Sequence, residues 1–176
     1  MVSAMDDQSR HFSTPPSIDE VAAQYGPLIK RVAAGYENDH SLLEDLVQEI
    51  YVAIWRALPK FRGESSLRTF VARIATNRSV THVIRAMKVP RATDLNDELQ
   101  STGDPPEAQV IAYEQRDRLV NAVRSLPLTY RQTALLMLEG LTTGEVACAL
   151  GLTDNAVYVR MNRAREMLKR IMGELE

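Results

Sequence analysis

Residues 142–168, TTGEVACALGLTDNAVYVRMNRAREML, decide the fold. Thr142 and Glu145 stand at capping-box spacing, where the cap hydroxyl and the third-position carboxylate satisfy each other's orphan amides, so a helix begins at 143. Val146, Ala147 and Leu150 fall on one side of that helix, and Gly151 ends it. After the turn Gly151-Leu152-Thr153, residues Val157, Met161, Ala164, Leu168 and Ile171 recur at helical spacing and predict a longer helix over 154–172. A short helix, a tight glycine turn and a longer helix, with small Ala147 where the backbones approach, form the layout of a helix-turn-helix. The side opposite the apolar stripe carries Asn155, Tyr158, Val159, Asn162 and Arg163, which are able to touch base edges in a major groove, while Arg160 and Arg165 on the flanks reach phosphates. An ordinary helical hairpin with a solvated basic face has the same layout. The local net charge of +4 over 155–170 favours DNA.

Working outward, helices are expected at about 106–126, stopped by Pro127, and at 130–139, with Gly140 just past its end. Asp104-Pro105-Pro106-Glu107 reads as the cap that opens this second domain. Upstream, KVPRATDLNDELQSTG over 88–103 is polar, acidic and aperiodic, the composition of a flexible linker. Further upstream another helical domain is expected. Its first helix buries Ile18, Val21, Ala22, Tyr25, Leu28, Ile29, Val32 and Tyr36, with Gly26-Pro27 kinking or splitting it. A second, from Ser41 to Leu58, buries Leu43, Leu46, Val47, Ile50, Ile54 and Leu58 and is stopped by Pro59. A third runs to about Arg85 with Leu67, Phe70, Val71, Ile74 and Ala75 inward. Four capping boxes are expected, at Ser17/Glu20, Ser41/Glu44, Thr129/Gln132 and Thr142/Glu145. Residues 1–17 are polar, hold Pro15-Pro16 and read as a disordered arm. The expected fold is all-α, two small helical domains joined by an acidic flexible linker, with boundaries at 1–17, 18–87, 88–104 and 105–176.

Composition narrows the function. The chain's 176 residues, 45% apolar and 25% charged, suit one globular domain or two small ones. No apolar run approaches the ~20 residues of a membrane span, and the first twenty residues lack a signal-peptide core, so membrane insertion is not expected and a cytoplasmic location is. The lone Cys148 has no disulfide partner and reads as a small core residue; His11, His40 and His82 are not at metal-ligand spacing, so no metal or cofactor is expected. A net charge of −2 argues against nucleic acid until it is resolved along the chain. Residues 18–54 carry −5, 55–88 carry +7 and 89–113 carry −4. Two basic surfaces are separated by an acidic connector.

In the first domain, Asp45, Gln48, Glu49 and Val52 share the outward face of the second helix. The loop with Phe61 and Arg62 precedes a helix on which Thr69, Arg73 and Asn77 stack at i, i+4 and i+8, beside Arg78. Cations for phosphates, an aromatic for an unstacked base and an amide for its Watson–Crick edge are the requirements of single-strand recognition. The same residues also suit a core-capping Phe61 with solvated arginines.

The stretch LLEDLVQEIYVAIWRALPKFRGESSLRTFVARIATNRSV (42–80) resembles the second conserved region of bacterial extracytoplasmic-function (ECF) sigma factors of the sigma-70 family, through Asp45-Leu46-Val47-Gln48-Glu49, Phe61-Arg62-Gly63 and Arg73-Ile74-Ala75 followed by Asn77. LPLTYRQTALLMLEGLTTGEVACALGLTDNAVYVRMNRARE (126–166) is similar to their fourth region. The resemblance implies a sigma region 2 bundle and a sigma region 4 helix-turn-helix. Asp45, Leu46, Gln48 and Glu49 then meet core RNA polymerase at the β′ coiled coil. Phe61, Arg62, Thr69, Arg73, Asn77 and Arg78 open and hold the −10 element of promoter DNA. Asn155, Tyr158, Val159, Arg160, Asn162, Arg163 and Arg165 meet the −35 element, with the β flap as a further polymerase contact. An anti-sigma factor or other regulator is the partner implied for the free chain. Two departures from the family stand out: the recognition helix has Asn155-Ala156 where Gly-Thr is common and Tyr158-Val159 where a basic and a small polar residue are frequent, and the polar arm at 1–17 is longer than a minimal member needs.

No phosphate loop, nucleophile–base pair or supported carboxylate pair appears, so the chain is expected to bind rather than catalyse. The rival readings are a helix-turn-helix regulator without polymerase affinity and a helical protein–protein adaptor.

Overall fold

A computed structural model describes residues 16–88 and 117–173. The arm up to residue 15, the linker after Lys88 and the expected cap at 104–107 lie outside the described residues. Helix α1 spans Ile18–Ala34, α2 His40–Ala57, a 3-10 turn Leu58–Lys60, and α3 Leu67–Lys88. They are followed by α4 over 117–125, α5 Leu128–Leu138, α6 Thr143–Leu150 and α7 Asp154–Gly173. Among the described residues there is no strand.

Helices α1, α2 and α3 close around one another because each presents an apolar stripe at helical spacing. Val21, Leu28, Ile29 and Val32 of α1 are buried together with Leu46, Ile50 and Ile54 of α2 and Phe70, Val71 and Ala75 of α3. Full burial of each aliphatic side chain contributes about 1.5–3 kcal/mol. That is enough to carry α1 unbroken past Pro27, which removes one backbone donor without splitting the helix. At Pro59 the α-helix does stop: α2 ends at Ala57 and the chain tightens into the 3-10 turn. The proline sits at the start of the 3-10 segment, where a missing N–H costs nothing.

Two of the four expected capping boxes form. Ser17 and Glu20 satisfy each other's backbone amides, as do Thr142 and Glu145. At α2 the cap is Asp39, whose Oδ1 accepts the Leu42 N–H at 2.8 Å, so the helix begins before Ser41. At α5 the cap position is Pro127, with no side-chain cap hydrogen bond. The Arg131 guanidinium donates to the carbonyls of Leu126 and Arg124 just before the helix, which ties the preceding turn to α5.

Glu37, between α1 and α2, is a buried carboxylate, 5% exposed. Its Oε1 accepts the Asn38 and Asp39 N–H groups at 2.9 and 3.0 Å, and His82 Nε2 of α3 lies 2.8 Å from Oε2. Burial pushes this carboxyl up, but His82 and the two amides more than offset it and hold it below the ordinary glutamate range. A carboxyl depressed in the fold contributes stability that is complete above its unfolded pKa and is lost as pH falls through the folded value. Acid titration of thermal stability is therefore expected to show a loss beginning near pH 4–5 that is shallower in Glu37→Gln.

The second set of helices packs on the first. Leu126, Ala134 and Ala164 form a small cluster of their own. Leu135, Leu136, Leu141, Val146, Ala147 and Val157 belong to the same buried cluster as the α1–α3 core.

Candidate partner and nucleic-acid surfaces

Asp45, Gln48, Glu49 and Val52 all point outward from α2. They line an open concavity with Ala53, Arg56 and Arg78. Arg85 Nη1 sits 3.6 Å from Glu49 Oε2, so the far end of α3 lies along the acidic face. Leu46 corrects the sequence reading that grouped it with these residues. It is 1% exposed and packs in the core, as its spacing of four from Ile50 requires, so it has no surface to offer a partner. Arg78 is displaced in the other direction. It faces the α2 concavity, because one helical step from Asn77 turns the side chain by about 100°. Trp55, 60% exposed, continues the outward face one turn beyond Val52. Its signal was present in the sequence, as a large aromatic seven residues after Gln48 on an otherwise polar stripe.

On α3, Arg73 and Asn77 are exposed and stacked, and Arg62 is exposed in the preceding loop. Phe61 is half-buried, its ring centroid 4.8 Å from that of Phe70 at 51°, which anchors the loop to the bundle. Thr69 does not share the exposure of Arg73 and Asn77. It is 2% exposed, with Oγ1 2.9 Å from Ser66 Oγ and a 3.5 Å hydrogen bond to Glu145 of α6.

The helix-turn-helix is α6 and α7. Gly151 takes the left-handed conformation, φ 66°, that a β-carbon would strain, and the Leu152 N–H returns to the Ala147 carbonyl at 2.9 Å. Thr153 Oγ1 accepts the Ala156 N–H at 3.2 Å and caps α7. Val157 and Ala164 are buried and fix the helix's rotation. That rotation leaves Asn155, Tyr158, Val159, Arg163 and Arg165 exposed and Arg160 and Asn162 half-buried. Arg163 Nη1 lies 3.4 Å from the Tyr130 hydroxyl, and Arg165 Nη1 3.5 Å from Asn162 Oδ1. Cys148 corrects another expectation: it is exposed, because α6 turns Val146, Ala147 and Ala149 inward and the intervening residue out.

Among the described residues no group of three or more His, Cys, Asp or Glu could hold a metal ion, and no helix is long and apolar enough to cross a membrane.

Comparison with known proteins is consistent along the chain. The family model Sigma-70 region 2 matches residues 21–89, and Sigma-70, region 4 matches 116–168. The RNA polymerase sigma factor NccH of Alcaligenes xylosoxydans xylosoxydans is 29% identical over 185 aligned residues, covering 90% of this chain and 97% of the relative. The ECF RNA polymerase sigma-E factor of Escherichia coli (strain K12) is 30% identical over 134 residues, 70% of each chain. Among solved structures, CnrH in complex with the cytosolic domain of CnrY aligns with a TM-score of 0.66 at 23% identity, over 89% of this chain and 88% of that one. RpoE of Bartonella quintana, solved with the anti-sigma factor NepR, gives 0.65 at 16% identity, over 88% and 96%. A helical bundle followed by a helix-turn-helix, each matched by its own family model, defines a sigma-70-type initiation factor, a protein that acts with RNA polymerase. Within that class, the chain belongs to the ECF sigma factors.

Proposed function

We propose that residues 18–87 form the module that binds core polymerase and the −10 element, that 105–176 form the module that binds the −35 element, and that 88–104 link them. The observation that carries this reading is the separation of chemistries on the surface. Asp45, Gln48 and Glu49 share one face of α2, Arg73 and Asn77 share one face of α3, and α7 presents Asn155, Tyr158, Val159 and Arg163. The acidic face meets the β′ coiled coil. Arg62 and Arg73 hold backbone phosphates while Asn77 reads an unstacked base. Phe61, braced on Phe70, sets the loop. Thr69 supports that helix from within. On α7, Asn155, Tyr158, Val159, Asn162 and Arg163 read the −35 major groove, with Arg160 and Arg165 on phosphates and the β flap behind the module.

The chain works by binding and positioning rather than by catalysis, in the cytoplasm where polymerase and promoter are. CnrH and the Bartonella RpoE were solved with CnrY and the anti-sigma factor NepR. A regulator of that kind is the proposed partner of the free chain.

The test is capture of core polymerase by the tagged chain, followed by promoter binding by the holoenzyme. Stable capture is expected, and its absence would contradict the reading in favour of a helix-turn-helix regulator. Arg163→Ala is expected to weaken binding at one −35 position by about 1–3 kcal/mol and relax preference there, measured by competition among single-base promoter variants. A uniform loss across all variants would instead assign Arg163 to phosphate.

A further inference from the structure

Val159 stands near the middle of the face that α7 turns away from the core. It is the sixth residue of the helix, and at about 100° per residue it lies about 200° round from Val157, which is buried with Ala164. Asn155 precedes it by one turn on that face and Arg163 follows it by one turn, and both are exposed. The long polar side chains nearby do not cover the valine. Arg163 Nη1 reaches the Tyr130 hydroxyl at 3.4 Å, Arg165 Nη1 reaches Asn162 Oδ1 at 3.5 Å, and Val159 stays 43% exposed. An isopropyl group with no donor or acceptor thus sits between an amide and a guanidinium, where a helix lying in a major groove meets the base edges. Its χ1 is stiff in a helix, so little side-chain entropy is lost when it makes a contact.

An apolar group has few choices on a base edge. In the major groove guanine offers N7 and O6, cytosine N4, and adenine N7 and N6, all of them polar, whereas thymine adds a C5 methyl to its O4. Pressed against a polar edge, Val159 strips water from a donor or acceptor and gives no hydrogen bond in return. Pressed against the thymine methyl, it removes apolar surface from water on both sides of the contact. The neighbours frame that contact. Four residues of helix place Asn155 and Arg163 each about 6 Å from Val159 along the axis, close to two base-pair steps of about 3.4 Å. An amide suits adenine N6 and N7, and a guanidinium suits guanine O6 and N7. We propose that Val159 is a specificity-determining residue of α7, which selects a thymine in the duplex it reads by contact with the C5 methyl. The proposal rests on the −35 reading above and adds to it the base that the valine selects.

The experiment selects duplexes from a random pool with the full chain, alone and assembled with core polymerase. Each thymine of the selected element is then replaced in turn by deoxyuridine, which lacks only the C5 methyl. One replacement is expected to weaken binding about three- to fivefold, the effect of one buried methyl group. In Val159→Ser the same replacement is expected to change affinity by less than about 1.5-fold, because the group that met the methyl is gone. Serine and valine have similar helix propensities and the position is exposed, so the variant keeps α7. A methyl dependence that persists unchanged in Val159→Ser assigns the contact to another side chain, such as Tyr158, and overturns the proposal. An element in which no deoxyuridine replacement weakens binding overturns it as well, while leaving the sigma reading intact if polymerase is captured. If the chain captures no polymerase yet selects a duplex alone, with the methyl dependence described, the sigma reading fails and the Val159 contact stands. A chain that selects no sequence in either form overturns both.

Discussion

Leu46→Ala is expected to lower the free energy of unfolding by about 2–5 kcal/mol, the cost of removing a fully buried leucine and leaving a cavity that its neighbours fill only in part. Leu46 lies among the buried side chains of α1, α2 and α3, with Ile50 one turn further along the same helix. A loss of that size is a large fraction of the stability of a small domain and should shift the thermal midpoint by well over 5 °C. The variant separates two roles that the sequence motif runs together. If Leu46 is interior, the molecules that remain folded bind core polymerase as the unmodified chain does, and only their number falls. Chemical denaturation and polymerase binding measured at matched folded concentration decide the matter.

Asp45→Ala combined with Glu49→Ala is expected to do the opposite. Both side chains are exposed, and the ion pair given up among the described residues, Glu49 with Arg85, is solvent-exposed and contributes little. Stability should change by less than about 0.5 kcal/mol per substitution. Core-polymerase affinity should fall by about 2–4 kcal/mol, roughly 30- to 800-fold, if the two carboxylates meet cations at the centre of the docked face. Trp55→Ala should add to that loss, because a half-exposed aromatic continuing the same face is the usual form of an interface anchor. A loss of affinity that vanishes at higher salt would place the carboxylates at the rim instead.

The helices were legible in the sequence wherever an apolar stripe ran for several turns, as it does along α1, α2 and α7. Capping was legible in part. Ser17 and Thr142 cap as their spacing predicts, whereas Asp39 captures the start of α2 and Pro127 occupies the cap position of α5 without a side-chain hydrogen bond. Leu46 shows how a contiguous motif and a helical period conflict: the motif places it beside Asp45, and the period turns it into the core. Cys148 was misread because an eight-residue helix gives too few turns to fix which arc is buried. Thr69 could be read locally only in part, since besides Ser66 three residues earlier it meets Glu145, a residue of the other module. The contacts of Arg31 with the Glu139 carboxylate and of Arg124 with the Ala34 and Glu37 carbonyls are invisible for the same reason, since each charge finds these partners only through the packing of the modules.

The charge pattern gains a physical meaning from this arrangement. The +7 of residues 55–88 is in part engaged by Glu49 of α2, which pairs with Arg85, and by the Glu139 carbonyl, which accepts from Arg68. Near-neutrality over the whole chain is therefore the sum of acidic and basic blocks that alternate along the sequence.

The most direct measurement of the central claim is run-off transcription from promoters to which the chain directs polymerase, identified by mapping transcription starts, with purified core enzyme and the chain as the only specificity factor. Transcripts of defined length are expected that require both core enzyme and the chain and are lost when the −10 or the −35 element is scrambled. Core enzyme that gives no specific transcript from those promoters with the chain present would contradict the account.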